Sequence, residues 1–175
     1  EDGKELYYYL DATPTYSYAQ ALYKYPQAAY PYGDLLAENA RRSLADPEYE
    51  ILDTGVFAED RYFDLLAEFA KAGPDDVLIR YTVANRGPQA APLHLLATLW
   101  FRNTWVWGCR HEGCTLKPRL GLDARQELVA EHETLGRFTL AAEPGPEGRE
   151  PVWLFTENES HSEALWGVPG YTPYV

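Results

Sequence analysis

The sequence has no methionine, only two cysteines and four histidines, and 15 lysines and arginines against 27 acidic residues. Two cysteines are too few to staple a disulfide scaffold, and such sparing use fits a cytoplasmic chain. No apolar run approaches the roughly 18 residues that a membrane-spanning helix needs. No charged-then-apolar leader opens the chain. The deficit of base leaves a formal net charge of −12. Such a surface repels phosphate backbones and anionic headgroups, so neither nucleic acid nor membrane is an expected partner. Glycine-rich phosphate loops, a nucleophile elbow and a zinc-protease helix motif are all missing, and no cofactor is expected. The opening Glu1-Asp2-Gly3-Lys4, in a chain with no methionine, is expected of a piece cut from a longer parent.

What is present is enough apolar side chain to fill a core, 46% of the sequence, much of it aromatic. Residues 1–32 read as a tyrosine-rich arm. Nine tyrosines fall between Tyr7 and Tyr32, while Pro14, Pro26 and Pro31 interrupt any regular period, leaving one short helical turn around Tyr18 to Tyr23. Residues 33–46 read as one short helix, with Asp34 as N-cap, a stripe of Leu35, Leu36, Ala40 and Leu44, and Pro47 as its stop. From residue 47 to 175 the pattern is that of a β-sandwich portion. Tyr49–Phe57, Arg61–Ala70, Val77–Ala84, Pro92–Asn103 and Pro151–Thr156 are expected strands, and Arg125–Thr134 with Leu135–Glu143 an expected hairpin. Pro92–Asn103, apolar on both faces, has the pattern of a central strand. Glu157 to Val175 reads as loop. Six to eight strands at short spacing point to a mainly β, antiparallel β-sandwich.

Several groups could carry chemistry. Trp100-Phe101-Arg102-Asn103-Thr104-Trp105-Val106-Trp107 is the densest. Indole faces stack on the apolar faces of sugar rings, and Arg102 and Asn103 offer forks to hydroxyls. Trp100, Arg102, Asn103, Trp105 and Trp107 are therefore candidates for carbohydrate binding or for an interdomain seam; the same tryptophans could simply close one end of a core. The tyrosines, too, could pack or contact saccharide. Cys109-Arg-His111-Glu-Gly-Cys114 could hold zinc, close a local disulfide or carry two free thiols, and its spacing is that of no standard finger, so no metal site is expected. Glycoside hydrolysis needs two opposed carboxylates. Glu157, Glu159, Asp53, Glu59, Asp60 and Asp64 are available, but so many acids come close by chance, and a solvated acidic face accounts for them.

The phrases YYYLDATPTYSYAQALYKYPQAAYPY, YEILDTGVFAEDRYFD, LIRYTVANRGPQAAPLHLLATLWFRNTW and LFTENESHSEALWGVPGYTPYV together span nearly the whole chain. They resemble a bacterial group of family 63 glycoside hydrolases, glucosidases related to the mannosyl-oligosaccharide glucosidases. The resemblance implies a multi-domain parent, with a super-sandwich-like N-terminal β domain packed on a C-terminal (α/α)₆ barrel that carries the acid and base. It implies no catalytic residue in this chain. It also implies two departures: the group commonly has histidine at the place of Tyr16 and methionine at that of Ala19. Tyr16 thus joins the candidate carbohydrate contacts. The expected role is a non-catalytic domain that helps shape the carbohydrate site of the absent barrel; the alternative is an independent carbohydrate-binding module. Taken alone, the chain is expected to lack glycosidase activity and to form a homodimer through surfaces that the barrel would cover.

Overall fold

The computed structural model describes residues 6–105, 108, 110–157 and 161–169. The chain divides into two compact units, one ending at Leu95 and the other beginning at Leu96. The expectation of a mainly β, antiparallel chain is borne out. The first unit holds a four-stranded sheet and the second a three-stranded one, with two short helices among the described residues.

In the first unit, β1 (Leu6–Ala12), β2 (Tyr18–Pro26), β3 (Tyr62–Gly73) and β4 (Asp76–Asn85) lie in chain order, each antiparallel to the next. The tyrosine-rich segment is thus a β-hairpin, not an arm with a helical turn. Tyrosine favours a pleated, half-buried surface. The prolines do not interrupt the strands. Pro14 sits in the β1–β2 turn, Pro26 is the last residue of β2, and Pro31 caps the helix that follows. That helix, α1 (Tyr32–Arg41), stops short of the expected Asp46. The Asp46 carboxylate accepts hydrogen bonds from the Ser43 amide and hydroxyl, both at 2.8 Å, and so builds a turn in place of a last helical turn. Asn39 ties α1 to the chain that follows, donating to the Tyr49 carbonyl at 2.8 Å and accepting from its amide at 2.9 Å.

The expected strand at Tyr49–Phe57 is instead a 3₁₀ turn, Ile51–Thr54. Turn chemistry overrides the β-branched residues there. The Asp53 side chain accepts from the Glu50 amide at 2.9 Å, and Gly55 closes the turn in the left-handed region at φ 73°. Ile51 is the most deeply buried of the core side chains, which in this unit also include Leu35 and Phe63.

The register of the sheet sorts its side chains by parity. Tyr7 faces Tyr23, Tyr23 faces Leu65, and Leu65 faces Val83. One face therefore carries Tyr7 and Tyr9 of β1, Tyr23 and Tyr25 of β2, and Phe63, Leu65, Ala67 and Phe69 of β3. Val77, Ile79, Tyr81 and Val83 of β4 complete it. Lys71, opposite Val77, is its charged end; from Ile79 to Val83 and across the β3 residues paired with them it has no charged side chain. The opposite face carries Lys24, Asp64, Glu68 and Arg80, of which Arg80 is exposed and the other three are part-buried.

In the second unit, β5 (Arg119–Leu122), β6 (Leu128–His132) and β7 (Gly136–Leu140) form an antiparallel sheet around the buried Leu128 and Ala130. The β6–β7 hairpin is the one expected from sequence, with shorter strands; β5 was not expected. The Asp123 side chain folds the β5–β6 turn by accepting from the Arg125 and Glu127 amides. Gly136, at φ 80°, supplies the left-handed residue of the β6–β7 turn.

The expected strands Pro92–Asn103 and Pro151–Thr156 are not strands. An apolar run becomes a strand only when a neighbour takes up its backbone groups, and neither run has a ladder partner among the described residues. Within the tail read as loop, α2 (Ser162–Trp166) is a single short helix, closed by Gly167 at φ 67°.

Candidate functional site

The second unit gathers part of the tryptophan-rich segment into one group. The Lys117 ammonium lies 5.9 Å from the centroid of the Trp105 ring, a cation–π distance, and pairs with the Glu157 carboxylate at 2.5 Å. Glu157 is thereby an anchor for Lys117, not one of an opposed pair of carboxylates. Asn103 lies two residues before Trp105, and its Oδ1 is buried with no hydrogen-bond partner among the described residues. Trp100 is exposed. Phe101 packs on the His132 ring, with centroids 5.2 Å apart, so the two ends of this segment serve different surroundings. Arg102 is exposed. Trp107, Cys109 and Glu159 lie outside the described residues. An indole and an ion pair form a group that can stack on an apolar ring and exchange hydrogen bonds with hydroxyls.

Tyr16 belongs to the first unit, at the tip of the β1–β2 turn. It is 70% exposed and stands in the left-handed region at φ 52°. That conformation is costly for a residue with a Cβ, about 1–2 kcal/mol. Thr13 over-determines it. Its hydroxyl accepts from the Ser17 amide at 3.0 Å and the Tyr18 amide at 3.2 Å, and its carbonyl accepts from the Tyr16 amide at 2.9 Å. The turn thus holds a phenol ring out into water.

Sequence reasoning missed that four of the other tyrosines form a continuous track. Tyr23 to Tyr25, Tyr25 to Tyr30 and Tyr30 to Tyr32 are in ring contact at 6.2, 5.7 and 5.7 Å, and the Tyr23 and Tyr30 hydroxyls share a 2.8 Å hydrogen bond. The period-two spacing of Tyr7, Tyr9, Tyr23 and Tyr25 was the available signal.

Of the remaining acidic candidates, Asp53, Glu59 and Asp64 are held by neighbours. The Asp64 carboxylate accepts from Lys24 and Arg86, each at 2.6 Å. Burial pushes its pKa up, but those two cations outweigh burial and hold it below the ordinary 3.8. Burial likewise favours neutral Lys24, and Asp64 reverses this, leaving the ammonium above its ordinary 10.5. Glu68 accepts from Arg80 at 2.6 Å and from the Tyr18 hydroxyl at 2.9 Å, and both hold it below its ordinary 4.5. Glu59 pairs with Arg61. These are the ties of a charged sheet face and its rim. Among the described residues, no group of three or more histidines, cysteines, aspartates and glutamates could hold a metal ion.

No family model matches the chain, and no solved structure matches it. An uncharacterized protein of Saccharomyces cerevisiae is 36% identical over 195 aligned residues, which cover 95% of this chain and 18% of that protein. The chain thus spans less than a fifth of the length of this curated relative.

Proposed function

We propose that this chain is a non-catalytic β domain of a larger glucosidase of the family 63 type, seated on a helical catalytic barrel and helping to shape its carbohydrate site. The observation that carries the reading is the tyrosine-bearing face of the four-stranded sheet. It carries no charge from Ile79 to Val83 and the β3 residues paired with them, Lys71 opposite Val77 marking its end, and Tyr7, Tyr9, Ile79, Tyr81 and Val83 on it are all exposed. Covering apolar surface is worth about 25 cal/mol per Å². Contiguous apolar patches larger than a few hundred Å² are the usual mark of a partner surface. A parent built like the yeast relative has several times this chain's length from which to supply the cover. The sugar chemistry rests on the sequence resemblance, with the Trp105–Lys117 group and the exposed Trp100 as the candidate contacts.

The second reading, a self-contained carbohydrate-binding module, is favoured by Tyr16, which a strained turn holds away from the protein. The test compares the chain alone with its full-length parent. The chain alone is expected to turn over no aryl-glucoside and to give no calorimetric signal with malto- or manno-oligosaccharides. In the parent, Phe69→Glu, which puts a charge in the middle of the apolar face, is expected to cut glucosidase activity at least tenfold. Saturable oligosaccharide binding by the chain alone, lost in Trp105→Ala, would establish the module reading instead. A parent whose glucosidase activity is indifferent to Phe69→Glu would end the seating proposal.

A further inference from the structure

The outer edge of β4 has a consequence separate from that of the apolar face. β4 is ten residues long, with a regular register against β3 from Val77 to Asn85. Among the described residues it has β3 on one side and no strand on the other. Nearly all of its residues are exposed. It contains no proline, no lysine and no bulge, the devices that keep natural edge strands from pairing. The opposite edge, β1, is shorter and is broken by an irregularity between Tyr9 and Asp11. A free edge of this kind presents a row of backbone donors and acceptors that only an extended strand can satisfy.

We infer that the β4 edge receives a second copy of this chain, whose own β4 adds antiparallel about a two-fold axis through Tyr81. The sequence of the strand selects this partner and this register. With Tyr81 opposite Tyr81, Ile79 meets Val83 and Leu78 meets Ala84, apolar on apolar; Arg80 meets Thr82, and Val77 meets Asn85. The pairing also sets Asp76 against Arg86 at both ends, where the guanidinium already holds Asp64 through its Nε. Arg86 continues the strand alignment, since its amide donates to the Tyr62 carbonyl at 2.9 Å. Opposite charges facing across a ladder stabilise it, and like charges do the reverse. A register centred on Arg80 would oppose two arginines. The two-fold axis stands perpendicular to the sheet, so both apolar faces lie on the same side. Two four-stranded sheets become one of eight strands, with the tyrosine-bearing face continuous across it. Repulsion between two chains of charge −12 opposes the union. Salt screens it beyond about 8 Å at physiological ionic strength.

The test uses the 175-residue chain. In a Cys109→Ser, Cys114→Ser background, Tyr81→Cys places two thiols at directly opposed positions, whose Cα atoms stand about 4.5–5.5 Å apart. That lies within disulfide range. Ile79→Cys places them four residues out of step, about 13 Å apart along the strand. Mild oxidation is expected to give a covalent dimer with Tyr81→Cys and none with Ile79→Cys. By sedimentation, the unsubstituted chain is expected to dimerise more tightly at 0.15 M salt than at a tenth of that, by about tenfold or more. Tyr81→Lys is expected to return it to monomer with an unchanged far-ultraviolet spectrum. A monomer at every salt concentration, a dimer indifferent to Tyr81→Lys, or equal cross-linking by the two cysteine variants would overturn the proposal. None of these outcomes bears on the parent's response to Phe69→Glu, so this inference and the proposed function fail separately.

Discussion

Asp64 is where the charged face of the sheet is most tightly tied. Its carboxylate is shared by Lys24 from β2 and Arg86, the residue just past β4, while its own backbone lies in β3, so one side chain ties the ends of three strands. The pKa directions fix the pH dependence. A carboxylate held below its unfolded value contributes stability that is full above that value and is lost as pH falls through the folded one. For Asp64 and Glu68 the loss therefore begins below the ordinary values of 3.8 and 4.5. Lys24, held above 10.5, contributes below that value and loses its contribution as pH rises through the folded one. Asp64→Asn is expected to destabilise the chain by about 1–3 kcal/mol at pH 7, since it strips a half-buried ammonium of its partner. It should also flatten the acid limb of stability against pH. Urea titrations between pH 7 and pH 2 measure both effects, and an acid limb as steep as in the unsubstituted chain would contradict this account of Asp64.

Among the elements, the β1–β2 turn stores strain that its five residues do not need for closure, since Thr13 holds the hairpin by itself. Tyr16→Gly removes the left-handed penalty and gives back part of the gain as chain entropy. The expected net is a stabilisation of about 0.5–1 kcal/mol, read as a higher urea midpoint with an unchanged slope. A destabilised variant would mean that the exposed ring packs on something. The elements also show which parts of the structure could be read from sequence. β3, β4 and the β6–β7 hairpin were legible because each pairs with its neighbour across a turn that the sequence announces: Gly73-Pro74-Asp75 for the first pair, Gly136 for the second. Pro92–Asn103 was misread, because composition can show that a run suits a strand but not whether a ladder neighbour exists. The tyrosine segment failed in the opposite direction. Its prolines interrupt any period in the sequence, yet they stand at a turn, a strand end and a helix cap. Of the candidate site, the aromatic residues were legible as types. The pairing of Trp105 with Lys117 and Glu157 was not, since 12 and 52 residues separate the partners from Trp105 and no periodicity links them.

At the scale of the whole chain, the two units have separate sheets and separate buried side chains. Every strand pairs inside its own unit. Ending the chain at Leu95 is therefore expected to leave the four-stranded sheet folded, with a cooperative thermal transition and the hydrogen-exchange protection of β2 and β3 retained. A 95-residue chain that shows neither would mean that the second unit is needed to hold the first. The −12 charge bears on both units, and its screening makes association through exposed surfaces depend on salt.

The meander order of the first sheet also sets a timetable. Each strand after the first pairs with the strand before it, so no strand waits for a segment from outside the meander. Two of the three closures are short turns; only that between β2 and β3 spans a helix. Loop closure between near neighbours costs little entropy, and topologies of local contacts fold faster than those that bring remote strands together. Synthesis runs from the first strand to the last, so each can dock as it leaves the ribosome, and the sheet is complete once Asn85 has emerged. In a long parent protein, this stretch would fold as a block of its own as it is made, without waiting for segments outside it.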